Sequence, residues 1–153
     1  MSTDLRILPV AADDEQAVRD WHDVHNLIIP PDALTLAEVR ERAVRNRLDV
    51  AYLGDTLVGC ATLRPPTPDN DHTATVIARI LPAHRRRGLG AAFYTQVLER
   101  ARALSPAAVE TIVLESNQDG LRFALTHGFT ETERYLLPGA TVPYLTLRLT
   151  GDA

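Results

Sequence analysis

The spacing of apolar residues changes along the chain between helical and strand periods, which predicts alternating helices and strands. A short apolar run at residues 4–10 predicts a first strand. Apolar residues three or four positions apart then predict a helix from Asp13 to the two prolines at 30 and 31, which break it. A second helix is predicted from Thr35, because the sequence TLAE that starts there has the spacing of a capping box. Two helices therefore precede the main sheet.

The central part of the chain predicts a hairpin, a further strand and a third helix. Two strands flank Gly54-Asp55, a dipeptide that favours tight hairpin turns. The segment HTATVIARIL is rich in β-branched residues and predicts the next strand, which ends at Pro82. Apolar residues recur at helical spacing from Gly88 to Leu104 and predict an amphipathic helix. The segment before that helix is therefore a strand-to-helix turn.

The last third of the chain predicts a strand, a helix and a closing pair of strands. The apolar run in ETIVLES, residues 110–116, does not alternate with polar residues, which predicts a strand buried on both faces. The next helix has Ser116 or Asn117 as its cap and Gly128 as its end. The segments TETERYLL and VPYLTLRL predict an antiparallel pair.

The predicted order is β-α-α-β-β-β-α-β-α-β-β, which indicates the α/β class with a mixed sheet and a single domain over residues 1–153. The net charge of −4 argues against nucleic acid or anionic lipid as a partner. One cysteine, Cys60, excludes an intrachain disulfide and a Cys-rich zinc site, and it is interpreted as a small buried residue on a strand. No metal site is expected. The first ten residues lack the features of a signal peptide, so a cytoplasmic location is expected.

Three consecutive arginines stand at the predicted start of the third helix: Arg85, Arg86 and Arg87. A helix N-terminus carries partial positive charge, so each cation placed there costs about 0.3–1 kcal/mol. An anion at that end would make these charges favourable, and Gly88 and Gly90 would let it approach the backbone amides. The segment is interpreted as a phosphate site, with arginines that point into solvent as the alternative. It is neither a Walker A loop, which needs a lysine, nor a dinucleotide fingerprint, which needs glycine where Phe93 stands.

The same residues resemble the signature of the GNAT superfamily of N-acetyltransferases. That signature is [Gln/Arg]-x-x-Gly-x-[Gly/Ala] after a strand, and RRRGLG at residues 85–90 matches it. Pro82 falls where many members have a proline. A second match lies downstream, where Asn117 begins a helix that ends in Gly128-Phe129. The predicted order of elements also resembles the family fold along nearly the whole chain.

The resemblance implies that acetyl-CoA binds as co-substrate in a V-shaped opening between two strands, one ending near Leu81 and the other near Ser116. Its pyrophosphate would contact amides at the start of the third helix, and its pantetheine arm would lie along the first of the two strands. The implied binding residues are Ala78, Ile80, Arg85, Arg86, Arg87, Gly88, Leu89, Gly90, Ala91 and Asn117. The backbone amide of Ile80 is the implied oxyanion donor.

The implied reaction is direct attack of a primary amine on the thioester. An alkyl ammonium ion has a pKa of about 10 and must lose a proton first. Glu115 is a candidate base through water, with a solvated strand-end carboxylate as the alternative, and His25 is more typical of a packed histidine. Many members have a tyrosine as general acid seven residues after the asparagine, where this chain has Ala124. Tyr144 is the candidate replacement.

Two classes of function follow from these patterns. The first is an acetyl-CoA-dependent N-acetyltransferase that acts on a small-molecule or protein amine, possible as a homodimer. The second is a CoA-binding module with weak or no turnover, for which Ala124 is the reason. Nucleic-acid binding through the arginines is disfavoured, because the cluster is short and the protein acidic. The segment WHDVHNLIIPPD is expected to border the acceptor cleft, where its histidines and Asp23 favour either a cationic acceptor or ordinary helix-surface chemistry.

Overall fold

The computed structural model describes residues 5–85 and 88–150, and the predicted order of helices and strands is confirmed within them. The strands of the described chain are β1 (Leu5–Pro9), β2 (Arg47–Leu53), β3 (Thr56–Arg64), β4 (Thr73–Ile80), β5 (Ala108–Leu114), β6 (Phe129–Tyr135) and β7 (Tyr144–Leu149). Its α-helices are α1 (Glu15–Ile28), α2 (Leu36–Arg45), α3 (Leu89–Arg102) and α4 (Gln118–Thr126). None of these helices combines the length and apolar character needed to cross a lipid bilayer.

Local capping contacts explain where the helices begin. The Thr35 side chain accepts from the Glu38 amide at 3.1 Å, and the Glu38 carboxylate accepts from the Thr35 amide at 2.9 Å. This is the capping box that the sequence predicted at the start of α2. Asn117 caps α4 by accepting from the Gly120 amide at 3.1 Å, so Asn117 is the cap and not Ser116.

The strands form one mixed sheet in the order β1-β2-β3-β4-β5-β7-β6. Neighbouring strands are antiparallel except β4 and β5, which are parallel. The β4–β5 pairing covers only Thr73–Thr75 against Ala108–Glu110. Beyond these residues the two strands continue without pairing, so the sheet opens at its centre, where the family resemblance implied a V-shaped opening.

Each face of the sheet packs against its own helices. Helices α1 and α2 cover one face through a cluster that contains Trp21, Val39 and Cys60. Helix α3 covers the other face, with Phe93 fully buried in a separate cluster. The Trp21 indole donates to the Ala61 carbonyl at 3.0 Å and so ties α1 to β3. Cys60 is 1% exposed on β3, which confirms it as a small buried residue, and burial raises the pKa of its thiol to about 12.

The prediction that β5 is buried on both faces is wrong in part. Thr111, Val113 and Leu114 are buried, but Ile112 is half-buried. Ile112 lines two cavities, because β4 has diverged from β5 at that point. The same divergence that creates the opening therefore leaves Ile112 only half-buried.

Candidate functional site

The opening between β4 and β5 leads into a cavity of about 440 Å³ on the side of α3 and α4. Most of the residues predicted to bind acetyl-CoA line it: Ala78, Ile80, Arg85, Gly88, Gly90, Ala91 and Asn117. Leu89 does not line it and is 2% exposed in the core beneath α3. Arg86 and Arg87 lie outside the described residues. The volume falls within the range of roughly 300–1,000 Å³ that is typical of small-molecule sites.

The start of α3 lies at one end of this cavity. No side chain of the described residues caps the helix, and Gly88 lies in the left-handed region at φ 78°. A Cβ on Gly90 would meet no heavy atom closer than 3.9 Å, so the backbone there is accessible. The first amides of a helix have no acceptor within the helix. Uncapped amides and open space at a positive helix end suit a diphosphate.

Arg85 connects the two sides of the cavity. Its Nε donates to the Ile80 carbonyl at 2.8 Å, and its Nη1 donates to the Asp119 carboxylate at 3.1 Å. These contacts join the end of β4 to the first turn of α4 across the opening. Part of the guanidinium charge is thereby engaged by the protein, so Arg85 also holds the shape of the site.

The Ile80 amide is directed into the opening by the strand register. The Leu81 amide donates to the Val58 carbonyl at 2.7 Å, so the Leu81 amide points towards β3. Backbone amides alternate in direction along a strand, so the Ile80 amide points the other way, towards β5. Paired residues on β4 and β5 end at Thr75, so no strand in the described sheet takes this donor.

Tyr94 on α3 was not singled out by the sequence, where it reads as one more core position of an amphipathic helix. Its side chain contributes to the wall of the first cavity, and its hydroxyl is buried without a hydrogen-bond partner among the described residues. Burial raises the pKa of Tyr94 to about 12, so the hydroxyl stays protonated. Ala124, which stands where many relatives have tyrosine, is 3% exposed in the same cavity.

A second cavity of about 180 Å³ lies on the opposite face of the sheet, beside α1. Both cavities include Ile77, Arg79 and Ile112 in their walls, so they meet where β4 and β5 diverge. Tyr144 lines the second cavity, and its buried hydroxyl has no partner in the described part of the chain. Burial raises the pKa of Tyr144, which keeps its proton available near neutral pH.

Glu115 contributes to neither cavity wall. Its carboxylate accepts a hydrogen bond from Arg134 Nη1 at 2.5 Å, and the same guanidinium also contacts Glu131. This position fits the solvated strand-end carboxylate that the sequence allowed as the alternative. A base acting from here would need water to reach the opening.

His25 is a packed histidine, the interpretation that its sequence position favoured. Its side chain is 3% exposed and stacks on Trp21 with ring centroids 4.8 Å apart. Nε2 lies 3.1 Å from the Asp32 carbonyl oxygen, which only accepts, so this nitrogen carries the proton. Burial, together with the Arg79 charge, lowers the pKa of His25 to about 4, and the imidazole is neutral at pH 7.

Acid is expected to destabilise the protein through His25. The ordinary pKa of 6.5 returns on unfolding, so the unfolded chain binds more protons between pH 6.5 and about 4. Lowering the pH from 7 to 5.5 therefore removes about 1 kcal/mol from the free energy of unfolding through this residue. Urea titrations at both pH values should show a smaller loss in His25→Phe. An equal loss in the variant and the parent protein would contradict this assignment.

Of the charged residues on the wall of the second cavity, only Asp32 belongs to a segment that the sequence analysis singled out for the acceptor cleft, WHDVHNLIIPPD. Arg42, Arg64, Arg79 and Asp32 lie on its wall. They belong to separate elements, and no sequence spacing connects them. Among the described residues, no group of three or more His, Cys, Asp and Glu side chains could hold a metal ion.

Known proteins resemble this chain in sequence pattern and in fold. The family model for the acetyltransferase (GNAT) family matches residues 13–129. No curated protein sequence matches the chain. Among solved structures, smu.2055 from Streptococcus mutans UA159 is similar at 22% identity and TM-score 0.74, over 94% of this chain and 97% of that one.

Two further solved structures of acetyltransferases are similar to this chain. A GNAT family acetyltransferase from Elizabethkingia anophelis with acetyl-CoA bound is 15% identical, with TM-score 0.71, over 97% of this chain and 99% of that one. Ribosomal-protein-alanine N-acetyltransferase from Brucella melitensis is 17% identical, with TM-score 0.70, over 94% of this chain and 98% of that one. These likenesses show the fold, and the family model shows the family.

Proposed function

The chain belongs to the acetyltransferase (GNAT) family, and from this premise we propose that it transfers the acetyl group of acetyl-CoA to a primary amine by direct attack on the thioester. The observation that carries the proposal is the meeting of two cavities at Ile77, Arg79 and Ile112. One cavity ends at the uncapped start of α3 and suits a long anionic co-substrate. The other cavity lies on the opposite face of the sheet and has room for an acceptor.

The residues of the first cavity bind acetyl-CoA and orient its thioester. Amides at the start of α3, from Gly88 to Ala91, bind the diphosphate, and Asn117 keeps α4 in place beside it. The Tyr94 side chain forms part of the wall against which the co-substrate packs. Bound acetyl-CoA supplies the acetyl thioester. The Ile80 amide donates to the thioester carbonyl oxygen and stabilises the negative charge that develops there.

Proton transfer is assigned to the second cavity. The ammonium group loses one proton before attack, and the nitrogen loses a second as the C–N bond forms and the C–S bond breaks. One proton reaches the departing sulfur and the other passes to solvent. Tyr144 keeps its proton at neutral pH and is the candidate donor to sulfur in place of the residue missing at Ala124. Asp32 on the cavity wall is better placed than Glu115 to take the ammonium proton, directly or through water.

The alternative function is a CoA-binding module that has lost turnover, and Ala124 is the residue that favours it. Both functions require the first cavity, but only the enzyme requires the second. Whether the acceptor is a small molecule or a protein amine, the single domain over residues 1–153, the cytoplasmic location and the homodimer stay predictions from the sequence.

Release of free thiol tests the proposed function. The protein is mixed with acetyl-CoA and a panel of primary amines, and thiol is followed with a chromogenic disulfide. At least one amine is expected to accelerate thiol release and to yield its acetamide by mass spectrometry. A rise in melting temperature with CoA, combined with no amine-dependent release, would support the binding module instead.

Tyr144→Phe sharpens the same assay. Removal of the hydroxyl is expected to lower kcat by about 10-fold, less than the roughly 100-fold or more that is typical of general acids, because a thiol of pKa about 8.5 leaves readily. The Kd of acetyl-CoA should not change, since Tyr144 lines only the second cavity. An unchanged kcat with a soluble, folded variant would remove Tyr144 from the mechanism.

A further inference from the structure

The wall of the second cavity carries more positive than negative charge. Arg42, Arg64 and Arg79 line it from α2, β3 and β4, and Asp32 is the acidic residue on the same wall. His25 adds no positive charge near neutral pH, because its pKa is about 4. An acceptor that carried only an ammonium group would enter against repulsion from three guanidinium groups.

Two of these arginines have no direct ion-pair partner among the described residues, and the Asp32 charge acts on them only from a distance. Within residues 5–85 and 88–150, neither Arg64 nor Arg79 forms an ion pair or a side-chain hydrogen bond. Burial lowers the pKa of both guanidinium groups, and the Arg42 charge lowers that of Arg64 further. Burial of cations without a partner costs free energy, and a bound anion would offset this cost.

Strand register places the two free guanidinium groups on one face of the sheet. Arg79 on β4 stands opposite Cys60 on β3, and Arg64 on β3 stands opposite Thr75 on β4. Residues at even separations along a strand share a face, and Cys60 and Arg64 are four positions apart. The arginines therefore reach the same cavity from neighbouring strands.

Asp32 does not cancel these charges, because two other side chains already share it. Its Oδ2 atom lies 3.4 Å from His25 Nε2 and 3.9 Å from Arg42 Nη2. Of the four charged groups, Arg42 and Asp32 thus face each other, while Arg64 and Arg79 face the cavity. The cavity has a site for an anion on one wall and a carboxylate on another.

We propose that the acetyl acceptor is a small amine that also carries an oxyanionic group, a carboxylate or a phosphonate, which Arg64 and Arg79 bind in the second cavity. The assignment rests on the proposed function, because it names the acceptor of that reaction. A planar guanidinium donates two parallel hydrogen bonds to the two oxygens of such a group. The volume of about 180 Å³ is below the roughly 300–1,000 Å³ of drug-sized sites, which favours a molecule of amino-acid size.

A purely cationic acceptor, one of the two alternatives that the sequence left open, does not fit the charges of the second cavity. The histidines and Asp23 of the first helix allowed a cationic acceptor, but Asp23 is exposed and is not part of the cavity wall. Of the two histidines, only His25 lines the cavity, and it is neutral there. The arginines of three other elements set the sign of the charge.

Binding of three matched acetylated compounds tests the proposal without turnover. N-acetylglycine, N-acetylaminomethylphosphonate and N-acetylglycinamide share one skeleton and differ in their terminal group, which is a carboxylate, a phosphonate or a neutral amide. Each is titrated by calorimetry into the protein saturated with CoA. At least one anion is expected to bind about 10-fold or more tightly than the amide, and the tighter anion identifies the group that the acceptor carries.

Two variants and a matched control connect this preference to the arginines. Arg64→Gln, which alters only the second cavity, and Arg79→Gln are each expected to reduce the preference to about threefold or less. Arg148→Gln removes an arginine that pairs with Glu110 at 3.0 Å outside both cavities, and it should keep the full preference. Melting temperatures with and without CoA establish that each variant is folded and binds CoA.

The outcomes separate this inference from the proposed function. Amide binding as tight as that of both anions, or a full preference retained in Arg64→Gln, would overturn the inference. Anion preference without amine-dependent thiol release would support an anion site at Arg64 and Arg79, but it would overturn the enzyme and with it the assignment of an acceptor. Thiol release with neutral or cationic amines, and no anion preference, would leave the enzyme and overturn the acceptor class.

Discussion

Gly90→Asp is expected to stabilise the free protein and to weaken acetyl-CoA binding by about 1,000-fold. Gly90 lies in the first turn of α3, and a Cβ there would meet nothing closer than 3.9 Å. A carboxylate at this helix end interacts favourably with the helix dipole, by about 0.3–1 kcal/mol, and loss of a helical glycine adds to that. Against a bound diphosphate, the same carboxylate is repelled by about 4 kcal/mol at short range.

The opposite signs of the two effects make this test specific. A variant that was merely misfolded would lose both stability and binding, whereas a blocked anion site loses binding alone. Urea unfolding measures the first quantity and calorimetry with CoA the second. Gly90→Ala is the matched control, because it fills the same space without charge and should bind CoA nearly as well as the parent protein. Equal binding by the aspartate and alanine variants would mean that no diphosphate lies at this helix end.

Gly59→Ala is expected to lower the free energy of unfolding by roughly 3 kcal/mol. Gly59 pairs with Ile80 across β3 and β4, and an added Cβ would stand 2.4 Å from the Arg79 carbonyl oxygen. It would also lie 3.0 Å from Ile80 Cδ1. The carbonyl is part of the strand and cannot rotate away, so β3 and β4 must separate at that point.

The same substitution should damage the site as well as the fold. The strand that moves carries the Ile80 amide and the Arg79 side chain, so the folded fraction of Gly59→Ala is expected to lose most of its acetyl transfer. Stability is measured by urea unfolding and activity by thiol release per folded molecule. Gly90→Ala again serves as the control for stability, since its added methyl group has space. A Gly59→Ala protein as stable as the parent would show that the strands tolerate the methyl group.

Features encoded within a few residues were predictable. The capping box at Thr35 and the Gly54 hairpin both form as predicted, because each depends on contacts or dihedral angles inside one turn. The order of all the strands and helices followed from periodicity, since burial on one face repeats at the period of the element. The start of α3 was recognisable for the same reason, as glycines and an uncapped helix end are local features.

Features that depend on the partner of a strand were less predictable. The prediction that β5 is buried on both faces was only partly correct. Ile112 is half-buried because β4 diverges from β5, and nothing in the segment of Ile112 itself indicates this. Glu115 looked suitable as a base beside the opening, but its neighbour is Arg134 on β6, a residue that sequence spacing does not connect to it. Sequence neighbours of a strand do not reveal what lies across the sheet.

The sequence on its own determined the order of the elements, the capping box of α2 and the glycine-rich start of α3 that lacks a side-chain cap among the described residues, since hydrogen bonds and periodicity act within about one helical turn or two strand residues. The second cavity required the folded chain. Arg64 and Arg79 are brought together by the register of β3 and β4, and Asp32 and Tyr144 reach the same wall from opposite ends of the chain. Their combined charge exists only after the sheet has assembled, because packing and register, and not sequence spacing, place these side chains around one volume.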